Sequence, residues 1–190
     1  EGYGLSIKGI QNVQDKYKNI KLIITVDNGI VANKAVEFAN KQNIDVIITD
    51  HHVPSKIKPK ALAIVHTTKL CGAGVAYMLV NSKKSISHNP YAKSHLELVA
   101  LATVADLVPL VGPNRTLLKF GLEKLRQTTR PGLLELFSEA QIRLDEIDTF
   151  HIGHIIAPRL NGSGRITHAL DSLRLICTKD FSRAKNLAQN

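Results

Sequence analysis

The chain has 190 residues, 44% of them hydrophobic and 22% charged, which suits one globular domain with a helical appendage and excludes a fibrous or disordered polymer. No apolar run reaches the roughly 18 residues of a membrane span, and Glu1-Gly2-Tyr3-Gly4 has neither the basic nor the apolar region of a signal peptide, so a membrane partner is not expected. The formal charge of +9 points to a polyanion, most simply nucleic acid, or to ordinary solubility.

Ile7, Ile10, Val13 and Tyr17 have helical spacing. Residues 21–26 (KLIITV) are a short apolar run rich in β-branched side chains, a strand signal. Val31, Ala35, Phe38 and Ala39 return to helical spacing, and residues 45–49 (DVIIT) and 61–65 (ALAIV) predict two more strands. Strands separated by helices imply right-handed βαβ units and a parallel sheet flanked by helices, an α/β fold. Cys71-Gly72-Ala73-Gly74 opens a helix through Leu79. Residues 83–93, polar and containing Pro90, read as a flexible insertion. Residues 96–105 (LELVALATVA) are apolar nearly all round and predict a buried helix. Residues 116–126 are amphipathic, and Pro131 suits the first turn of another helix. Cys71 and Cys177 match no metal or redox spacing. A reducing, cytoplasmic setting is expected, with both thiols packed as small apolar groups.

The residues with chemistry lie where the strands end. The first strand runs into Asp27-Asn28-Gly29 and the second into Asp50-His51-His52. Ligands of open parallel sheets bind beyond the carboxyl ends of the strands. Clustered carboxylates there would repel one another unless protonated or bound to a cation, and carboxylates with imidazoles suit Mn²⁺, Mg²⁺ or Zn²⁺. Asp106 ends the most apolar helix and is followed by Leu107-Val108-Pro109-Leu110, so it needs a partner if it is buried. Taken singly, each feature has an ordinary reading. Asp27-Asn28-Gly29 suits a turn between strands, His51-His52 a solvated loop, and Asp106 a helix end bonded to backbone. Together they favour a metal site.

These stretches resemble the motifs of the DHH phosphoesterases and, within that family, of its RecJ-like exonucleases. Asp50-His51-His52 is similar to the signature that names the family, and Thr25-Val26-Asp27-Asn28-Gly29 to its second acidic motif. Residues 102–110 (ATVADLVPL) resemble its fourth motif in the RecJ-like form. Glu1-Gly2-Tyr3-Gly4-Leu5 resembles the segment after the first motif, and residues 112–115 and 130–133 resemble its connecting helices. Residues 157–165 (APRLNGSGR) are similar to its phosphate-gripping arginine motif. The resemblance runs in order along nearly the whole chain. It departs where Gly162-Ser163 replaces two alanines and where the segment between His66 and Gly72 is short. The family's first acidic cluster is expected before Glu1. Its DHH-associated domain and the oligonucleotide-binding fold are expected after Asn190. The chain is therefore expected to be a fragment with little activity of its own.

The resemblance implies a partial DHH phosphoesterase-like α/β domain over residues 1–110 and a helical connector over 111–190. It implies a 5′-to-3′ exonuclease of single-stranded DNA using two divalent cations, Mn²⁺ or Mg²⁺. Asp27 is then the bridging ligand, with His51 and Asp106 as further ligands. Asp50 orients the histidines, and His52 faces the scissile phosphate. Arg159 and Arg165 hold backbone phosphates, while Asn161, Gly162 and Gly164 let the backbone come close. Salt bridging on a helical surface is the plain alternative for the arginines, and a helix-ending turn for the glycines. Rival functions are a DHH-family oligoribonuclease, a cyclic-dinucleotide phosphodiesterase or pyrophosphatase, and a catalytically silent nucleic-acid-binding relative. Protein partners, such as a single-strand-binding protein or a helicase, are left unspecified.

Overall fold

The computed structural model describes residues 4–82, 95–163 and 169–189. The chain divides into two compact units, Glu1–Lys93 and Ser94–Asn190. The first is a parallel sheet flanked by helices and the second a helical region.

In the first unit the order is α1 (Ile7–Lys16), β1 (Leu22–Val26), α2 (Asn33–Lys41), β2 (Asp45–Asp50), β3 (Ala63–His66) and α3 (Gly72–Val80). Ser6 starts α1 by accepting a hydrogen bond from the Gly9 N–H at 3.1 Å, the usual way a helix satisfies an orphan donor. The β-branched runs become strands in the order β1-β2-β3. All pairings are parallel, from Leu22 opposite Asp45 to Val26 opposite Thr49, and from Ile47 opposite Ala63 to Asp50 opposite His66. Val46 and Ile48 of β2 are fully buried with Ile10, Val36, Ala39 and Ile44. Each large aliphatic among them contributes about 1.5–3 kcal/mol of burial. The register sets the ends of β2 and β3 side by side, and Asp27 N–H donates to the Thr49 carbonyl at 2.9 Å. The acids and imidazoles thus share the carboxyl edge of the sheet. The chain after Gly29 turns into α2 rather than back as a hairpin strand, which settles the turn alternative for Asp27-Asn28-Gly29.

The second unit contains α4 (Leu96–Ala105), α5 (Pro113–Arg126), α6 (Pro131–Glu139), a 3-10 turn (Leu144–Glu146), a π-helical turn (His151–Ile156), α7 (Ala157–Ser163), α8 (Ala169–Cys177) and α9 (Phe181–Ala188). Ala100, Leu118, Leu125, Leu133, Phe137, Ile147, Ile152 and Ile156 form its core. α5 and α6 each begin with proline, whose missing N–H is harmless in a first turn. A Cβ on Gly121 would overlap Ala100 and the Leu96 carbonyl, so glycine permits the close packing of α4 on α5. The Ala157 N–H reaches back to the Ile152 carbonyl, five residues away, just before Pro158. A proline cannot make the ordinary helical bond, and the wider turn carries the chain into α7.

Several local expectations change. α5 begins at Pro113 rather than Thr116, and α4 packs on α5 in the second unit. Cys71 is buried as expected, but Cys177 is exposed, because it closes the last turn of α8 rather than facing the core. Asn161 and Gly162 lie within α7 and not in an open turn. The expected insertion at 83–93 lies outside the described residues, as do Gly164 and Arg165. Among the described residues, no helix is long and apolar enough to cross a membrane.

Candidate metal centre

Asp27 follows β1 with a φ of 64°. Asp tolerates this left-handed conformation better than most non-glycine residues, and such outliers cluster at functional sites. The turn around it is fixed locally. Thr25 Oγ1 donates to the Asn28 carbonyl at 2.7 Å, Asn28 Nδ2 to the Val26 carbonyl at 3.0 Å, and Thr49 Oγ1 to the Thr25 carbonyl at 2.8 Å. The Asp27 side chain is 56% exposed and its Oδ1 lies 3.1 Å from His51 Nε2. Against it stands the first residue of α3: a Cβ on Gly72 would overlap the Asp27 carboxylate and its Cβ. Glycine there lets the helix start seat against the acid.

Asp50 occupies the opposite environment, with a side chain only 1% exposed at the end of β2. Its Oδ2 accepts the Ile30 N–H at 2.9 Å. Its Oδ1 accepts the His51 N–H at 2.7 Å and the His52 N–H at 3.2 Å, and lies 2.7 Å from His52 Nδ1. Burial alone would push this carboxyl up; the hydrogen bond with the His52 ring and those from the Ile30, His52 and His51 amides outweigh it and hold Asp50 below the usual carboxylate range. Asp50 therefore stays an anion and sets the tautomer of His52, with the proton on Nδ1. The His51 side chain is 14% exposed and that of His52 is 59% exposed, with ring centroids 4.6 Å apart.

Asp27, His51 and His52 each offer one ligand atom, and these atoms all lie within 4.8 Å of one another. Ligand atoms about 2.1 Å from a shared ion sit about 3–4 Å apart, so small side-chain rotations bring this set onto a divalent cation. One carboxylate oxygen with imidazole nitrogens is a donor set for first-row divalent ions. The residues fit the metal.

Of the residues singled out from sequence, Asp27, Asp50, His51 and His52 come together, with His52 joining the donor set and Asp50 behind it. Asp106 is exposed at the C-terminal end of α4 in the second unit, where its N–H bonds to the Ala102 carbonyl at 2.9 Å. Arg159 is exposed on α7, and its Nη1 donates to the Ile155 carbonyl at 3.1 Å. His151 and His154 are held locally, by Asp148 at 2.6 Å and by stacking on Phe150 at 4.6 Å. Two residues of the site escaped sequence reasoning. Gly72 is visible only as a glycine starting a helix after the third strand. His66 ends that strand, and its Nε2 lies 2.7 Å from the His52 carbonyl. A histidine at a third parallel strand end was the available signal.

The sequence profile of the DHH family, N-terminal domain, matches residues 5–103. The single-stranded-DNA-specific exonuclease RecJ of Bacillus subtilis is 38% identical over 197 residues, covering 99% of this chain and 24% of that protein. A structure of an exonuclease RecJ bound to manganese superposes with a TM-score of 0.84 at 31% identity, covering all of this chain and 49% of the other. RecJ of Thermus thermophilus in complex with Mn²⁺ gives a TM-score of 0.82 at 31% identity, over 95% of this chain and 28% of the other. The chain thus spans about a quarter of the Bacillus subtilis relative.

Proposed function

The chain belongs to the DHH family, and from that premise we propose that it serves a metal-dependent phosphodiesterase that degrades single-stranded DNA from the 5′ end. The observation that carries this reading is the Asp27, His51 and His52 donor set at the carboxyl edge of a parallel sheet. Its likeness to relatives named single-stranded-DNA-specific exonucleases, and to structures holding Mn²⁺, supports the substrate and the metal.

In this proposal Asp27, His51 and Asp106 would hold the divalent cations, Mn²⁺ or Mg²⁺. When bound, such ions supply Lewis acidity toward phosphoryl oxygens and water. Asp50 works through His52. By holding Nδ1–H it fixes the ring and leaves Nε2 to face the scissile phosphate, steady developing charge and move a proton. A guanidinium fork suits phosphate oxygens, so Arg159 and Arg165 would take the backbone phosphates, with Asn161, Gly162 and Gly164 beside them in sequence. The exposed position of Arg159 on α7 agrees with that role.

The test uses the natural polypeptide that contains this chain, with single-stranded oligonucleotides labelled at either end. Mononucleotides are expected from the 5′ end in Mn²⁺ or Mg²⁺ and none in chelator. His51→Ala should lower the rate by about 100-fold or more, as loss of a positioned metal ligand implies. Binding without cleavage in any metal would identify a silent relative. Preference for short RNA or cyclic dinucleotides would move the substrate to another branch of the family.

A further inference from the structure

We propose that His66 is a positioning residue of this centre, holding the ligand loop through the His52 carbonyl; the proposal rests on the metal-centre reading above. His66 ends β3 in register with Asp50 of β2. Two bonds run from this strand end to the loop that carries the ligands. The Thr67 N–H donates to the Asp50 carbonyl at 3.4 Å, and His66 Nε2 lies 2.7 Å from the His52 carbonyl. The Asp50 carbonyl belongs to the peptide before His51 and the His52 carbonyl to the peptide after His52, so the end of β3 and the residue after it flank the His51-His52 pair. The bond to His52 is the shorter and crosses 14 residues of sequence, so it ties strand to loop rather than neighbour to neighbour.

The chemistry fixes the state of the His66 ring. A carbonyl oxygen only accepts, so Nε2 must carry the proton and donate. His52 is then held at three points: its N–H and Nδ1 by Asp50 Oδ1, and its carbonyl by His66. Asp50 alone leaves the peptide plane after His52 able to rotate about its own bonds. With His66 engaged, that plane is set, and the backbone that carries the His52 ring beside His51 is held at both ends. The His51 ring must reach Asp27 Oδ1 at 3.1 Å, and a ligand set tolerates only small angular error before affinity falls. The bond that His66 makes is to the backbone of the ligand loop, and it is through that loop that it acts.

The experiment measures Mn²⁺ affinity by the electron paramagnetic resonance signal of free Mn²⁺ in the natural polypeptide, independent of catalysis. His66→Leu keeps bulk but removes the donor, while His66→Gln keeps an N–H at similar reach. His66→Leu should weaken Mn²⁺ by about tenfold, the lower end for partners that orient metal ligands. It should lower kcat by a similar factor with KM for a single-stranded oligonucleotide unchanged. His66→Gln should restore both to within about threefold of wild type, since the donor is retained. A role in stability alone would lower Tm equally in both variants and leave affinity below the transition unmoved. That result overturns the proposal, as does equal weakening by leucine and glutamine. Asp27→Ala is the reference. If it weakens Mn²⁺ while His66→Leu does not, His66 is no positioning residue; if Asp27→Ala also leaves affinity unchanged, the metal-centre reading itself fails. Should the leucine variant not fold, the comparison passes to His66→Ala against His66→Gln, with the same deciding outcomes.

Discussion

Asp50→Asn is expected to lower stability by about 3 kcal/mol and to reduce metal-dependent cleavage by about 100-fold, the upper range for a group that both pairs buried donors and orients a ligand. The carboxylate is buried and accepts from the Ile30, His51 and His52 amides and the His52 ring. Asparagine keeps the shape but has one acceptor oxygen. If that oxygen serves Ile30, the amide nitrogen faces three donors with a donor of its own. The loss should show in urea unfolding and in faster hydrogen exchange at Ile30. The pH dependence has a definite sign. The folded Asp50 carboxyl is held below its ordinary value, so its contribution is fully present above the unfolded value of about 3.9 and fades as pH falls through the lower folded value. Wild type should therefore lose this increment as pH falls below about 4, and Asp50→Asn should show a flatter acid limb. An unchanged stability at neutral pH would contradict the hydrogen-bond accounting.

Gly72→Ala is expected to impair metal binding by about 10–100-fold and to cost about 1–3 kcal/mol of stability. The added methyl would overlap the Asp27 carboxylate, its Cγ and its Cβ. Turning about χ1 clears the carboxylate but leaves Cβ in place, so the Asp27 turn itself must shift as well, and the carboxylate leaves His51. Because Asp27 is half-exposed, the turned carboxylate finds water, and the cost to the fold lies in the shifted turn. A variant that stays folded at the assay temperature but needs far more Mn²⁺ for the same signal meets this expectation. Wild-type Mn²⁺ affinity would show that α3 yields instead.

The contrast between these two positions explains what could be read from the sequence. β1 and β2 were legible because each is a short β-branched run that stops at an acid, although only β2 is largely buried and Leu22, Ile24 and Val26 of β1 are exposed. The edge carrying Asp27, Asp50, His51 and His52 followed from the same pattern. Gly72 and His66 were not legible, because their meaning depends on what lies opposite: a carboxylate 45 residues earlier in numbering and a carbonyl on a neighbouring loop. The end of the chain was obscured for another reason. Ile142, Leu144, Ile147, Ile152 and Ile156 are all apolar, but the 3-10 turn at Leu144–Glu146 and the π-helical turn at His151–Ile156 shift the phase away from 3.6 residues. The periodic signal of a helix face is lost there, although Ile147, Ile152 and Ile156 are fully buried.

In the proposed centre Asp27 and His51 hold a divalent cation beside His52. A Mn²⁺ titration of wild type and Asp27→Ala, read by the paramagnetic signal of free Mn²⁺, tests it most directly. Wild type should show saturable binding that Asp27→Ala weakens by about tenfold or more, as loss of a direct ligand requires, with both proteins equally folded by circular dichroism. Equal affinity in the two proteins would contradict the account.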